Sequence, residues 1–138
     1  MYLIDTDVIS ELRKGVRVNQ GVLRFFIEAD EGNHALYLSV VTIGELRRGV
    51  EMIRSRKDAR QAKRLEAWLD TLLQEYDDHI LEFGQEEAQV WGRLRAPHPE
   101  NALDKQIAAT ALTHGLTIVT RNVEHFSKLG MAVVNPFI

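Results

Sequence analysis

Four polar side chains occupy positions where they could act together on a phosphate group: Asp5, Glu45, Asp104 and Asn122. Three of them are carboxylates, which repel one another in a dry crevice and raise one another's pKa unless a cation neutralises them. The chain has no cysteine and no histidine pair at metal-ligand spacing, so oxygen ligation favours Mg²⁺ or Mn²⁺ over zinc. Held by carboxylates, these cations suit phosphoryl chemistry, in which they activate a water and stabilise charge on phosphate oxygens.

Each of these side chains also has a simpler explanation at the start of a helix, where polar and acidic residues are common. The patterns concerned are Asp5 with Thr6 and Asp7, the capping-box spacing Thr42-Ile-Gly-Glu45, Asn101 with Asp104, and Asn122. A shared site is favoured because all four side chains fall where a strand or loop leads into a helix, and these junctions lie on the same predicted edge of a sheet.

The amino-terminal stretch shows how such a junction arises. Tyr2 to Ile4 forms an apolar run typical of a buried strand, whereas Val8, Ile9 and Leu12 recur at helical spacing. Asp5 therefore lies at the carboxyl end of a strand, where a helix begins. Ligands of open parallel sheets bind at that edge, because loops leave the strands there and helix amino termini face the crevice.

Four further strands are predicted along the chain, at residues 36–41, 80–83, 116–120 and 132–135, and they alternate with amphipathic helices. Parallel strands need crossover connections of this kind, so we predict an α/β fold with a parallel sheet flanked by helices. Residues 43–76 are helical throughout in this interpretation, which predicts a helical arm beside the sheet.

Length, composition and net charge indicate the number of domains and the compartment. With 138 residues, 45% hydrophobic and 27% charged, residues 1–138 are expected to form a single domain. The net charge of -3 gives no signal for a polyanion partner. No apolar run reaches membrane-spanning length, and Asp5 and Asp7 stand where a secretion signal needs basic and then apolar residues. We therefore expect a cytoplasmic protein without a membrane partner.

Two further groups of residues were considered for the site. A basic stripe on the predicted arm could guide a nucleic-acid backbone or could be the solvated face of a helix; it comprises Arg56, Lys57, Arg60, Lys63 and Arg64. Among the five histidines, only His98 and His125 are expected near the site.

Four motifs together resemble those of PIN-domain ribonucleases: Leu3 to Leu12, Thr42 to Leu46, Asp104 to Ala111 and Val119 to Asn122. Their order and spacing are similar to those of VapC toxins of toxin-antitoxin modules, in particular the FitB-like branch. The resemblance implies a doubly wound α/β domain and a Mg²⁺- or Mn²⁺-dependent endoribonuclease that hydrolyses RNA with a metal-activated water. It also implies a homodimer and inhibition by a small VapB- or FitA-like antitoxin, through which the complex could bind DNA.

The same resemblance implies roles for individual residues. Asp5 and Asp104 match the family's main metal ligands, and Glu45 matches its second-motif acid. Asn122 aligns with a position that is often aspartate, and it offers a carbonyl oxygen but no charge. Asp7 stands where the family more often has asparagine, so it could replace part of the missing negative charge.

Two other functions fit some of the same residues. Ile4-Asp-Thr-Asp-Val8 also matches the signature of haloacid-dehalogenase-type phosphatases, with Asp5 as nucleophile and Asp7 as acid/base. Such an enzyme needs a later lysine and a paired acidic motif, and Lys105 and Lys128 have no such motif beside them. The other alternative is a degenerate PIN fold that binds RNA or a partner without cutting, for which Asn122 is the one supporting feature.

Overall fold

The computed structural model describes all 138 residues and contains one five-stranded sheet. The strands lie in the order β3-β2-β1-β4-β5, and every neighbouring pair is parallel. They are short and span Tyr2–Ile4 (β1), Leu36–Ser39 (β2), Ile80–Leu81 (β3), Thr117–Val119 (β4) and Val133–Val134 (β5). The α/β prediction with a parallel sheet is confirmed.

Seven α-helices connect the strands, and two short 3-10 segments supplement them at Leu12–Arg17 and Asp77–His79. The helices span Thr6–Glu11 (α1), Gln20–Glu31 (α2), Val40–Ser55 (α3), Ala59–Glu75 (α4), Gln85–Arg95 (α5), Ala102–His114 (α6) and Val123–Ser127 (α7). None of them combines the length and apolar character needed to cross a bilayer.

Alternation along the central strands divides the core between the two faces of the sheet. Ile4 and Val119 pack with apolar side chains of α1 to α4, whereas the adjacent Leu3 and Ile118 pack with α6 and α7. Successive side chains of a strand point to opposite faces, so both faces are covered. The sheet is therefore doubly wound, and β1, which lies in its centre, carries fully buried side chains on each side.

Helices α3 and α4 form the predicted helical arm. They turn back on each other at Arg56–Asp58, and Glu66 joins them through salt bridges to Arg47 at 2.6 Å and Arg54 at 3.1 Å. The apolar stripe of α4 is buried at Ala62, Leu69 and Leu72, and the two leucines pack in the same core cluster as strand residues Ile4 and Leu38.

The boundary between β2 and α3 differs from the prediction. The strand ends at Ser39 and the helix begins at Val40, because the Ser39 hydroxyl caps it by accepting the backbone N–H of Val41 at 3.0 Å. Local capping overrides the strand preference of two consecutive valines. Thr42 and Glu45 therefore lie inside the helix, and the capping-box explanation of Glu45 is wrong.

The carboxy-terminal segment is fixed to the start of α2. The Asn19 amide oxygen caps the helix through the N–H groups of Gly21 and Val22, and it also accepts the N–H of Ile138 at 3.3 Å. A β-carbon at Gly21 would stand 2.1 Å from the carbonyl oxygen of Pro136. Glycine at this position thus allows the terminal segment to approach the helix.

Candidate active site

Asp5 lies at the tip of the central strand and is held in a single orientation. One carboxylate oxygen caps α1 by accepting the N–H of Thr6 at 2.8 Å. The other accepts the hydroxyl of Thr120, at the tip of β4, also at 2.8 Å. Asp5 is only 3% exposed. The helix-capping role considered for this residue is therefore present, but the cap occupies only one of its two oxygens.

Burial gives this carboxyl group unusual electrostatics. Desolvation, followed by the charge of the nearby Asp7, raises the pKa of Asp5 from 3.8 to about 7, against the opposing hydrogen bonds from Thr120 and Thr6. The charge of Asp104 contributes in the same direction. A carboxylate in this environment lacks a positive partner, so it favours either a proton or a bound cation.

Asp7 belongs to the same group of carboxylates. Its Oδ2 accepts the backbone N–H of Arg121 at 3.0 Å, whereas its Oδ1 is buried without a hydrogen-bond partner. Burial raises the pKa of Asp7 and the charge of Asp104 adds to the increase, while the hydrogen bond from Arg121 opposes it. A buried oxygen without a partner is costly, which makes it a natural position for a cation or its water.

Glu45 reaches the site from α3 through the first turn of α1. Its Oε1 accepts the hydroxyl of Thr6 at 2.8 Å, and the same hydroxyl lies 3.1 Å from that of the buried Thr42. Thr6 follows Asp5 directly, so this bond brings the glutamate next to the strand tip. The other glutamate oxygen, Oε2, makes no hydrogen bond within the protein.

Asp104, in the first turn of α6, is paired with a histidine from the neighbouring helix α7. Its Oδ2 lies 2.5 Å from Nδ1 of His125 on α7. The carboxylate is partly exposed, at 24%, and it acts electrostatically on both Asp5 and Asp7. His125 was expected near the site, and the structure brings it into direct contact with a predicted metal ligand; His98 shows no such contact.

Asn122 stands at the edge of the site with a free side chain. It precedes α7 in the capping position but makes no side-chain cap, and its backbone N–H instead donates to the Thr120 hydroxyl at 3.0 Å. Asn122 therefore occupies the capping position of α7, but its side chain does not cap the helix. Its amide is exposed and faces no competing bond.

The three predicted carboxylates do not form one compact set of ligands. No three aspartate, glutamate or histidine side chains converge as a ready-made metal cage, because Glu45 is bonded to Thr6 and Asp104 to His125. Mg²⁺ is usually held by one or two carboxylates and keeps several waters. Two aspartates with raised pKa values and an unpaired buried oxygen fit such a hydrated divalent cation.

Neither lysine considered for a phosphatase contacts Asp5. Lys105 is fully buried and donates to the carbonyl of Glu100, and Lys128 lies 2.5 Å from the Glu100 carboxylate. Both ammonium groups therefore stabilise the loop before α6. A nucleophilic Asp5 would therefore lack the lysine ammonium group that haloacid-dehalogenase-type chemistry requires.

Sequence reasoning missed the hydroxyl groups that orient the acids. Thr120 is fully buried and bonds Asp5, and Thr6 bonds Glu45. A signal for Thr120 was available, since it follows a buried strand just as Asp5 does, and strands β1 and β4 are neighbours. No such signal exists for Thr6, because its contact with Glu45 on α3 arises only from tertiary packing.

Comparison with known proteins identifies the family of this chain. Residues 2–130 match the PIN domain family. The chain belongs to that family. The match covers Asp5 and Asp7, the arm, and the helices that carry Asp104 and His125.

Relatives extend the similarity over nearly the whole length of the chain. It is 33% identical to Toxin FitB of Neisseria gonorrhoeae, with 99% of each chain covered. It is 32% identical to VapC ribonuclease Y4jK of Sinorhizobium fredii, covering 99% of this chain and 98% of the relative. Among solved structures, it is similar to FitAB bound to an IR36 DNA fragment, with a TM-score of 0.79 and 30% identity over 99% of this chain and 95% of that chain.

Proposed function

We propose that this protein is a Mg²⁺- or Mn²⁺-dependent endoribonuclease that acts as the toxin of a toxin-antitoxin module. The observation that carries the proposal is the pair of aspartates where β1 meets α1. Asp5 is buried without a positive partner, and its pKa is raised further by the charge of Asp7, which itself has a buried oxygen without a hydrogen-bond partner. Similarity to a VapC ribonuclease and to Toxin FitB supports the substrate class and the toxin role. In this proposal residues 1–138 act as one domain.

Asp5 and Asp104 would hold the cation in this proposal. When bound, it would lower the pKa of a water and neutralise charge on the phosphate that is attacked. Thr120 and the N–H of Thr6 fix the direction of the Asp5 lone pairs, so no reorganisation is required when the cation and substrate arrive.

Glu45 and Asn122 complete the proposed catalytic set. The Thr6 hydroxyl occupies Oε1 of Glu45, which leaves Oε2 to accept a proton from the attacking water. Asn122 offers its free amide oxygen to water at the rim, and Asp7 provides the negative charge that aspartate would provide at position 122.

A cleavage assay tests the function. Purified protein, freed of any partner, is incubated with total RNA and Mg²⁺ or Mn²⁺, with a chelator in parallel, and the new RNA ends are sequenced. We expect discrete ends that depend on the cation and disappear in Asp5→Asn and Asp104→Asn. Asp70→Asn makes the same change at an exposed position on α4 and should cleave like the wild type. Undiminished cleavage by either site variant would contradict the ligand assignment.

The role of Glu45 is tested separately with Glu45→Gln. Glutamine keeps the hydrogen bond from Thr6, so the melting temperature should not change, whereas loss of the proton acceptor should lower the cleavage rate about a hundredfold or more. Full activity in this variant would remove Glu45 from the chemistry. If the wild type binds RNA but never cleaves it, the protein is instead the degenerate binding module.

We further propose that the protein forms a homodimer and is inhibited by a small VapB- or FitA-like antitoxin, and that the complex binds DNA through that antitoxin. Similarity to FitAB bound to a DNA fragment supports this partner. An antitoxin arginine placed against Asp5 and Asp104 would replace the charge of the cation. Mn²⁺ affinity measured with and without the antitoxin should then differ strongly, and unchanged affinity would locate inhibition elsewhere.

A further inference from the structure

A groove leads away from the proposed active site between α1 and the helical arm. A cavity of about 180 Å³ begins at Thr6 and Glu45. A second cavity of about 390 Å³ continues it along the surface, and the two share Arg13, Leu65 and Trp68 as lining residues. We call the combined cavity the Trp68 groove. One of its ends therefore lies beside two residues of the proposed catalytic machinery.

The far part of the Trp68 groove is strongly basic. It is lined by Arg13, Lys14, Arg17 and Arg64, and no carboxylate lines it. Lys14 pairs with Glu11 at 2.8 Å, but the three arginines take part in none of the salt bridges of the structure. This concentration of free positive charge stands out because the whole chain has a net charge of -3.

The structure divides the basic stripe predicted for the arm. Of that stripe only Arg64 lines the groove, while Arg60 and Lys63, on the same helix, are exposed outside it. Arg13 and Arg17 come from the 3-10 segment Leu12–Arg17, more than forty positions away in the sequence. Two distant elements thus bring unpaired guanidinium groups to one cavity.

We propose that the Trp68 groove binds the single-stranded RNA segment next to the bond that is cleaved. Arg13, Arg17 and Arg64 contact its phosphates, and Trp68 stacks against one of its bases. The inference rests on the proposed function, which it deepens by stating where the substrate lies and in which form.

Chemistry favours this occupant over others. Guanidinium groups bind phosphate oxygens with two parallel hydrogen bonds, and an aromatic ring among them provides a surface on which an unpaired base can stack. A base within a duplex cannot reach such a ring, because it is already stacked and paired. The groove therefore selects single-stranded over double-stranded RNA.

Binding without cleavage gives the first test. A labelled single-stranded RNA of twelve nucleotides is titrated by fluorescence anisotropy in the presence of a chelator, over a range of salt concentrations. Arg13→Gln with Arg64→Gln should weaken binding about tenfold and reduce the slope of log K against log salt by about 1.4, since each phosphate contact in a single strand contributes about 0.7.

The matched control carries Arg60→Gln with Lys63→Gln, which removes the same charge from α4 outside the groove. Its affinity should stay within about twofold of the wild type. A hairpin of the same composition should bind the wild type about tenfold more weakly than the single strand. If both double variants lose affinity equally, or if the hairpin binds as tightly, the proposed groove is refuted.

Trp68 provides a second, spectroscopic test. The chain has two tryptophans, and Trp91 lies outside the groove on α5, where it donates to the carbonyl of Ala102. In Trp91→Phe the remaining fluorescence reports on Trp68 alone. Addition of the RNA should quench it, and Arg13→Gln with Arg64→Gln should shift the quenching to higher RNA concentration. Absence of quenching at saturating RNA would contradict stacking on Trp68.

Cleavage and binding results together test the Trp68 groove independently of the proposed function. Metal-dependent cleavage that is unaffected by loss of Arg13 and Arg64 would leave the function in place and overturn the groove. RNA binding that quenches Trp68 without any cleavage would support the groove and contradict the function. If the Arg13 and Arg64 variant binds RNA normally but no longer retains a co-expressed antitoxin, the groove belongs to a protein partner and the proposal fails.

Discussion

At the scale of single residues, the hydrogen bonds to Asp5 partly stabilise an ionised carboxylate that burial makes unfavourable. Thr6 and Thr120 stabilise the ionised carboxylate, yet desolvation and the charge of Asp7 outweigh them. The protein thus maintains an acid that is easily neutralised, by a proton or by a cation. The same feature makes the free protein sensitive to pH.

The first prediction concerns that sensitivity. The pKa of Asp5 is about 7 in the folded protein against 3.8 ordinarily, so the folded state holds a proton that the unfolded state has released. The free energy of unfolding should therefore fall as pH rises from about 4 to about 7, by an amount on the order of 4 kcal/mol from this group. The contribution of this group to stability is highest on the acid side of this window, where both states hold the proton, and it falls at higher pH because only the unfolded chain ionises there.

Denaturant titrations at several pH values in the absence of metal measure this effect. In Asp5→Asn the decline between pH 4 and pH 7 should be much shallower, because asparagine does not ionise. Asp70→Asn, at an exposed position, should keep the full decline. Parallel pH profiles for the wild type and Asp5→Asn would show that another group dominates.

The second residue-scale prediction concerns Asn122. Asn122→Asp adds a negative charge at the rim of the carboxylate site, so it should lower the melting temperature of the metal-free protein and tighten Mn²⁺ binding. Asn33→Asp makes the same change at an exposed turn far along the sequence and serves as the control. Identical Mn²⁺ affinity in Asn122→Asp and the wild type would remove Asn122 from the site.

At the scale of elements, close contact between α2 and the terminal segment is the most specific packing constraint. Gly21→Ala places a β-carbon 2.1 Å from the Pro136 carbonyl oxygen, so the segment must move and unfolding should become easier by about 1–3 kcal/mol. Gly92→Ala, inside α5, meets nothing within 4 Å and should stabilise by about 0.5–1 kcal/mol. Thermal unfolding of both variants gives the comparison, and equal effects would refute the contact.

The elements also show what local sequence could and could not predict. Every strand was located from its apolar residues, and the positive φ of Gly115 ends α6 as expected. The start of α3 was misplaced because Val40 and Val41 favour a strand while Ser39 caps a helix. The Ser39 cap prevails in the structure, but the sequence alone does not show which of two competing local preferences is stronger.

The placement of the candidate site residues was predictable where it follows from topology. Asp5 lies at a strand tip because the strand precedes it, and parallel strands place their tips at one edge. The contact of His125 with Asp104 and the groove formed by Arg13 and Arg64 join distant segments. Their residues look like ordinary surface positions until the fold brings them together.

At the scale of the whole molecule, the doubly wound sheet gathers the candidate site residues at one edge. The strand tips provide Asp5 and Thr120, the first turn of α1 provides Asp7, and helices from both faces provide Glu45 and Asp104. The proposed endoribonuclease activity depends on binding of a divalent cation by Asp5 and Asp104.

The most direct measurement of that claim is the shift in melting temperature caused by Mn²⁺. A ligand that binds only the folded state stabilises it by about 2.7 kcal/mol at a hundredfold excess over Kd, which corresponds to a rise of roughly 5 to 15 °C for a domain of this size. We expect this rise in the wild type and in Asp70→Asn, and a rise of less than a few degrees in Asp104→Asn. Equal shifts in Asp104→Asn and the wild type, or no shift in any of the three proteins, would contradict the proposed metal site.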